Sequence, residues 1–311
     1  MSQMFDALQR SESERSGTDT AKFSAAADLL EVAERQVAQF AAEGDRRPTT
    51  PLQAENGHPP HNVRIDQFAQ FQSVKVLVPL ENKLVCVTEE EGLATEKFRF
   101  LGVRLRHLQQ RHPVKRVLVT SSMAEEGKST VAANLACALA KRHEQRTLLL
   151  DGDLRRPTLA QQFGLGKISG LSELLQGETA PSMNIYKLEG LGFWIMPAGN
   201  PPRNPLEFMQ SRKLSLLMDQ LAGWFDWIVI DSPPLLPLAD TSVWMRLADG
   251  VVLVTRPGRT SKRQLQRALE AVEQPKLLGA VINSSNAATM GDYYQYYAGQ
   301  ISVPKTDGQP A

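Results

Sequence analysis

Short runs built on continuous Val, Ile and Leu alternate with helical periods along most of this 311-residue chain. The runs are "RVLVTS" (116–121), "RTLLLD" (146–151), "FWIMPA" (193–198), "DWIVID" (226–231), "GVVLVTR" (250–256) and "LLGAVINS" (277–284). Between them lie helical patterns at 128 to about 142, about 205–222, about 240–247 and about 261–273. Continuous Val/Ile/Leu runs mark strands buried on both faces. Their alternation with helices predicts an α/β fold, a doubly wound, mainly parallel sheet with right-handed crossovers. Such sheets bind ligands at the carboxyl ends of their strands, so the chemistry is expected just after each run.

That is where the informative residues stand. After "RVLVTS" comes "SMAEEGKST" and then a helix. Gly127, Lys128, Ser129 and Thr130 match the second half of a P-loop, although Ser122 occupies the position of its first glycine. Backbone N–H groups and the dipole of a helix N-terminus cradle phosphate. Residues Ala124, Glu125, Glu126, Gly127, Lys128, Ser129 and Thr130 are therefore the candidate nucleotide loop. Lys128 is expected to reach the β- and γ-phosphates, and Ser129 to ligate Mg²⁺. "LLLDGDLRRP" places Asp151 and Asp153 past the second run, and "DWIVIDSPP" places Asp231 past another. Carboxylates at such tips hold a metal, in part through water, or accept a proton. Glu125 and Glu126 are expected to point to solvent, because carboxylates turned toward phosphates repel them.

Outside this core the chain divides further. Residues 1–42 read as an amphipathic helical extension, with Phe23, Ala26, Ala27, Leu30, Val37 and Phe40 on one face and an acidic to mixed opposite face. Residues 43–62 hold four prolines and little apolar surface, which suits a flexible linker with solvated His58 and His61. Residues 63–91 read as a connector, in which "LENKLVCVT" (80–88) is a strand of the sheet or a plain link. The core spans 92–288, and 289–311 form a polar tail. The tail holds Tyr293, Tyr294, Tyr296 and Tyr297, four of only five tyrosines in the chain.

A net charge of +1 gives no global field toward nucleic acid, and the basic "RTSKRQLQR" (259–267) reads as an exposed helix face. Cys86 and Cys137 fit no metal or redox spacing, and Cys137 reads as a buried core thiol. No apolar run approaches the roughly 20 residues needed to span a bilayer. A cytoplasmic location, peripheral to the inner membrane through a partner, is expected.

The "GKST" loop, "LLLDGDLRRP", "FDWIVIDSPP", "GAVIN" and the terminal tyrosines together resemble the bacterial tyrosine autokinases of capsule and exopolysaccharide loci, over roughly residues 92–297. Partition and septum-site ATPases share the broader class but carry a lysine where this chain has Met123. The resemblance implies ATP- and Mg²⁺-dependent phosphorylation, in trans, of Tyr293, Tyr294, Tyr296 and Tyr297. It implies that Lys128 neutralises the transferring phosphoryl group, that Ser129, Asp153 and Asp231 serve the metal, and that Asp151 receives the tyrosine proton. Lacking a spanning segment, the chain resembles the split, cytoplasmic members, which act with a membrane-bound, chain-length-regulating activator. The family also uses a Glu-x-x-Arg-x-x-Arg helix to assemble rings. Here Glu96 and Arg99 are present, Gly102 replaces the second arginine, and a homo-oligomer is expected. A further departure is that Ala124 and Glu125 stand where the family often has proline-glycine. The alternatives are a nucleotide-switched, partition-type ATPase and a pseudokinase scaffold for a membrane complex.

Overall fold

The computed structural model describes residues 68–283, apart from 69, 80–81, 90–91, 142–144 and 178. The expected helical extension, the linker and the tyrosine cluster lie outside the described residues.

The described chain runs β1 (Gln72–Val74), α1 (Val85–Thr88), α2 (Leu93–Arg111), β2 (Arg116–Ser121), α3 (Lys128–Ala140), β3 (Thr147–Asp151), α4 (Leu159–Gln162) and α5 (Leu171–Gln176). It continues through β4 (Tyr186–Leu188), β5 (Trp194–Met196), α6 (Pro205–Met209), α7 (Arg212–Trp224), β6 (Trp227–Asp231), α8 (Asp240–Leu247), β7 (Gly250–Thr255), α9 (Lys262–Ala271) and β8 (Leu277–Ile282). The strands form one sheet in the order β1-β4-β5-β3-β6-β2-β7-β8. All neighbours are parallel except β4 and β5.

The central strands are almost wholly buried, as a parallel sheet covered on both faces requires. One apolar core lies on each face. Helix α3 is buried nearly all round. Its alanines let it lie close between the sheet and α2, which covers it. Gly102 of α2 is buried, and a Cβ there would touch Ala138 of α3 at 3.7 Å. The position where the resemblance calls for a second arginine therefore faces inward.

Three expectations change. Where a connector was expected, residues 72–74 form β1, an edge strand beside β4. Phe68 and Phe71 anchor that edge in an aromatic cluster with Trp194, Trp224 and Phe225. The Arg146 guanidinium lies 4.2 Å from the centre of the Phe68 ring. The segment 80–88 holds the short helix α1 rather than a strand. Buried Asn134 of α3 docks it, accepting from the Cys86 N–H (3.2 Å) and donating to the carbonyls of Lys83 (3.0 Å) and Thr130 (2.9 Å). The single helix expected at 205–222 is two, α6 and α7. They part where the Ser211 hydroxyl turns back to the Phe208 carbonyl (2.6 Å), a local bond of the kind that competes with helix continuation.

Cys86 and Cys137 are both free and buried. Burial pushes the Cys86 thiol up to about 11 and Cys137 higher still, so neither is a thiolate near neutral pH. Among the described residues no helix is long and apolar enough to cross a membrane.

Replacing Asn134 with Ala strands the Cys86 N–H and takes the donor from the Lys83 carbonyl. We expect a loss of about 1–3 kcal/mol in urea unfolding, with amide exchange rising first across residues 83–89.

Candidate active site

The loop between β2 and α3 turns through two residues with positive φ, Glu125 (64°) and Gly127 (91°). Gly127 is required twice. Its left-handed backbone favours glycine, and a Cβ there would lie 1.9 Å from Nδ2 of Asn283. Glu125 adopts the left-handed conformation at one of the two positions where the family often has proline-glycine, a strained choice for a residue with a Cβ. Its carboxylate lies outside, as expected, paired with Arg259. Glu126 overturns the expectation of a solvent-facing side chain, since it is only 1% exposed. Its carboxylate is drawn inward by donors, accepting from the Met123 N–H (3.0 Å) and the Thr260 hydroxyl.

Three acids converge beside this loop. The pairing of β3 with β6 sets Asp151 directly opposite Asp231. Both are fully buried, and Asp153 is nearly so. Asp151 is held by the N–H groups of Leu159 (3.1 Å) and Asp153 (3.3 Å). Asp153 accepts from the Arg156 N–H (3.0 Å) and lies 3.4 Å from Nζ of Lys128. Lys128 also approaches the Ser129 hydroxyl at 3.4 Å. Neither carboxylate oxygen of Asp231 has a hydrogen-bond partner among the described residues.

The charges interlock. Burial, with the charge of Asp231 next, holds Asp151 well above the usual carboxylate range. Burial also pushes Asp231 up to about 6, with Lys128 pulling it back. The Ser129 hydroxyl favours its charged form as well, without meeting hydrogen-bond geometry. For Lys128, burial disfavours the charge, but Asp231 and then Asp153 outweigh it and raise its pKa.

Gly152, between the two β3 acids, lets them flank the tip of β6. Its N–H bonds the Asp231 carbonyl at 2.7 Å. A Cβ there would meet that same carbonyl at 2.8 Å and the Trp244 ring at 2.7 Å. Buried Trp244 completes the contact by donating its indole N–H to the Gly152 carbonyl (3.0 Å). Trp244 escaped the sequence reading, because nothing in its own helix pattern points to β3. Arg155 escaped it too, although "DLRRP" was in view. It clamps Asp240 of α8 through two bonds of 2.6 and 3.0 Å.

A cavity of about 540 Å³ opens here, lined by Glu125, Gly127, Lys128, Ser129, Asp153 and Arg155 among others. Asp151 and Asp231, both fully buried, do not line it. The structure thus gathers Lys128, Ser129, Asp151, Asp153 and Asp231 into one site. Glu96 and Arg99 do not belong to it; they pair with each other on α2, partly exposed. The donor set fits phosphates with a divalent cation. Two desolvated, unpartnered Asp231 oxygens lie near the Ser129 hydroxyl, behind a lysine at a helix N-terminus.

An acid whose pKa is raised on folding stabilises the folded chain below its unfolded value and loses that contribution as pH rises through the folded value. In chelator and without nucleotide, stability is therefore expected to fall between pH about 4 and about 6. Asp231→Asn should flatten that slope in thermal melts taken across the window and leave the free chain more stable at pH 7. An unchanged slope would remove Asp231 as its source.

The family profile described as "ParA: NUBPL iron-transfer P-loop NTPase" matches residues 113–297, more than half of the chain. The tyrosine-protein kinase YwqD of Bacillus subtilis (strain 168) is 31% identical over 219 residues, covering 70% of this chain and 92% of that protein. The succinoglycan biosynthesis transport protein ExoP of Rhizobium meliloti (strain 1021) is 28% identical, over 76% of this chain but 30% of its own length. The crystal structure of the chimerical protein CapA2B2 superposes with a TM-score of 0.62 at 29% identity, over 71% of this chain and 99% of the chimera. A P-loop set between β2 and α3, paired strand-tip acids and a match along nearly all of YwqD lead to one conclusion: the chain belongs to the bacterial tyrosine-protein kinases, within the ParA-type P-loop NTPases.

Proposed function

We propose that this protein is an ATP- and Mg²⁺-dependent tyrosine autokinase that phosphorylates Tyr293, Tyr294, Tyr296 and Tyr297 of a neighbouring copy. The observation that carries this reading is the unpartnered, buried Asp231 carboxylate beside Ser129 and Lys128 at the start of α3. A nucleoside triphosphate with Mg²⁺ supplies the transferable phosphoryl group and part of its charge neutralisation.

The chain's own residues do the rest. The N–H groups at the start of α3 and the Lys128 ammonium bind and orient phosphate. Ser129, Asp153 and Asp231 hold the metal or its waters. Asp151 takes the proton of the incoming phenol, whose unperturbed pKa is about 10. Its raised pKa suits a base. Each of its oxygens accepts one backbone N–H, which orients the carboxylate and leaves lone pairs for that proton.

Each phosphotyrosine adds about −1.5 to −2 charges at pH 7, so a full cluster carries on the order of −6 to −8. That charge loosens a homo-oligomer. On α2, Glu96 and Arg99 lie beside the exposed Phe100 and Val103, which supports self-association through this helix. The likeness to ExoP supports a role in exopolysaccharide or capsule polymerisation and export. The partner is a membrane-bound activator and chain-length regulator that brings a cytoplasmic chain to the inner membrane.

The test is phosphotyrosine formation with ATP–Mg²⁺ and the activator's cytoplasmic segment, using the full chain, a chain lacking its last 21 residues, and Lys128→Met. We expect signal only from the intact chain. Hydrolysis without phosphotyrosine would instead favour a partition-type ATPase, and absent nucleotide binding a scaffold. Asp151→Asn is expected to lower phosphotyrosine formation by about 100-fold or more at near-normal nucleotide affinity, whereas Asp153→Asn weakens Mg²⁺-dependent binding. Lost affinity in Asp151→Asn with normal residual chemistry would exchange the two roles.

A further inference from the structure

Side chains from distant parts of the sequence grip the loop between β2 and α3. Carboxylates are seldom fully buried without partners, and Glu126 has partners on both oxygens. Oε2 accepts from the Met123 N–H at 3.0 Å, across the mouth of the loop. Oε1 accepts from the Thr260 hydroxyl, which itself accepts from the Arg256 N–H at 3.0 Å. The Glu126 carbonyl receives the Asn283 side-chain amide at 3.0 Å, and the Asn283 N–H is fixed to the Thr255 carbonyl at 2.8 Å. Next to it, the Glu125 carbonyl receives an Arg256 guanidinium N–H at 3.3 Å. The segment after β7 and the residue after β8 thus close on the same two loop positions.

Glu126 does not line the cavity. Its charge is directed to the Met123 N–H and the Thr260 hydroxyl rather than into the cavity. We propose that Glu126 is a positioning residue: its side chain straps Met123 to Thr260 and so holds the loop in its anion-receiving shape before ligand arrives. A turn held this way loses less freedom on binding. A loop that had to order itself would bind correspondingly more weakly. Asn283, which bonds the Glu126 backbone carbonyl, precedes the segment that carries the tyrosines, so the same loop position is also tied to the root of that segment.

The inference rests on reading this loop as a phosphate site, and its test separates the two ideas. In the free, full-length chain, amide exchange is followed across residues 119–130 for wild type, Glu126→Ala, Glu126→Gln and Thr260→Val. Affinity for a fluorescent ADP analogue with Mg²⁺ is measured alongside. Glu126→Ala, which removes both bonds, is expected to speed exchange in the loop and to weaken ADP binding by about tenfold. Glu126→Gln keeps an acceptor for Met123 and a donor for the Thr260 oxygen, and should stay within about threefold of wild type. Thr260→Val should fall between them. Wild-type exchange in Glu126→Ala, wild-type affinity in that variant, or a Gln variant as weak as the Ala variant would each overturn the strap. If the wild-type chain binds no ADP, the phosphate-site reading fails, and loop exchange still decides whether Glu126 holds the loop.

Discussion

The register between β3 and β6 is the constraint on which the rest of the site depends. It sets Asp151 and Asp231 opposite each other on strands about 4.8 Å apart, both without solvent. Loss of hydration raises both pKa values, with the charge of Asp231 adding to it at Asp151 and that of Asp153 at Asp231. Folding tolerates this because Lys128 enters from the neighbouring loop and backbone N–H groups engage Asp151 and Asp153. The compensation is incomplete at Asp231, whose oxygens have no hydrogen-bond partner among the described residues. Desolvation retained at one point of a well-packed sheet is what a charged ligand can relieve.

Much of the surrounding architecture holds that geometry. The alanine-rich α3 lies between the sheet and α2, which fixes where its N-terminus, and hence Lys128 and Ser129, meets the tip of β2. Trp244 and Gly152 lock the turn after β3. Arg155 joins that turn to α8 through Asp240. The P-loop is gripped from β7 and β8 through Glu126 and Glu125. Each bond is modest in water, but in a buried network removal of one partner strands the other.

Most of the sheet was legible in the sequence because β2, β3, β6 and β7 are buried on both faces and read as uninterrupted apolar runs. β1 and β4 were not. Each is three residues long, and their patterns alternate or are polar, "QSV" and "YKL". Only pairing at the sheet edge makes them strands. The acids after β3 and β6 were legible as residues at strand tips, and the GKST triplet as a loop before a helix. Glu126 was misjudged because charge alone argued for solvent. Its burial follows from donors at Met123 and Thr260, the second of which is 134 residues away.

The sequence by itself determined the fold class, the place of the phosphate loop and the identity of the acids, because apolar runs, a glycine at a left-handed turn and carboxylates after strands are local signals. Only the tertiary structure decided which acid faces the cavity, which is left unpartnered, and that the loop is closed by a carboxylate turned inward. Those outcomes depend on strand register and on contacts between residues far apart in the chain, where desolvation and available donors, rather than local pattern, set the lowest free energy.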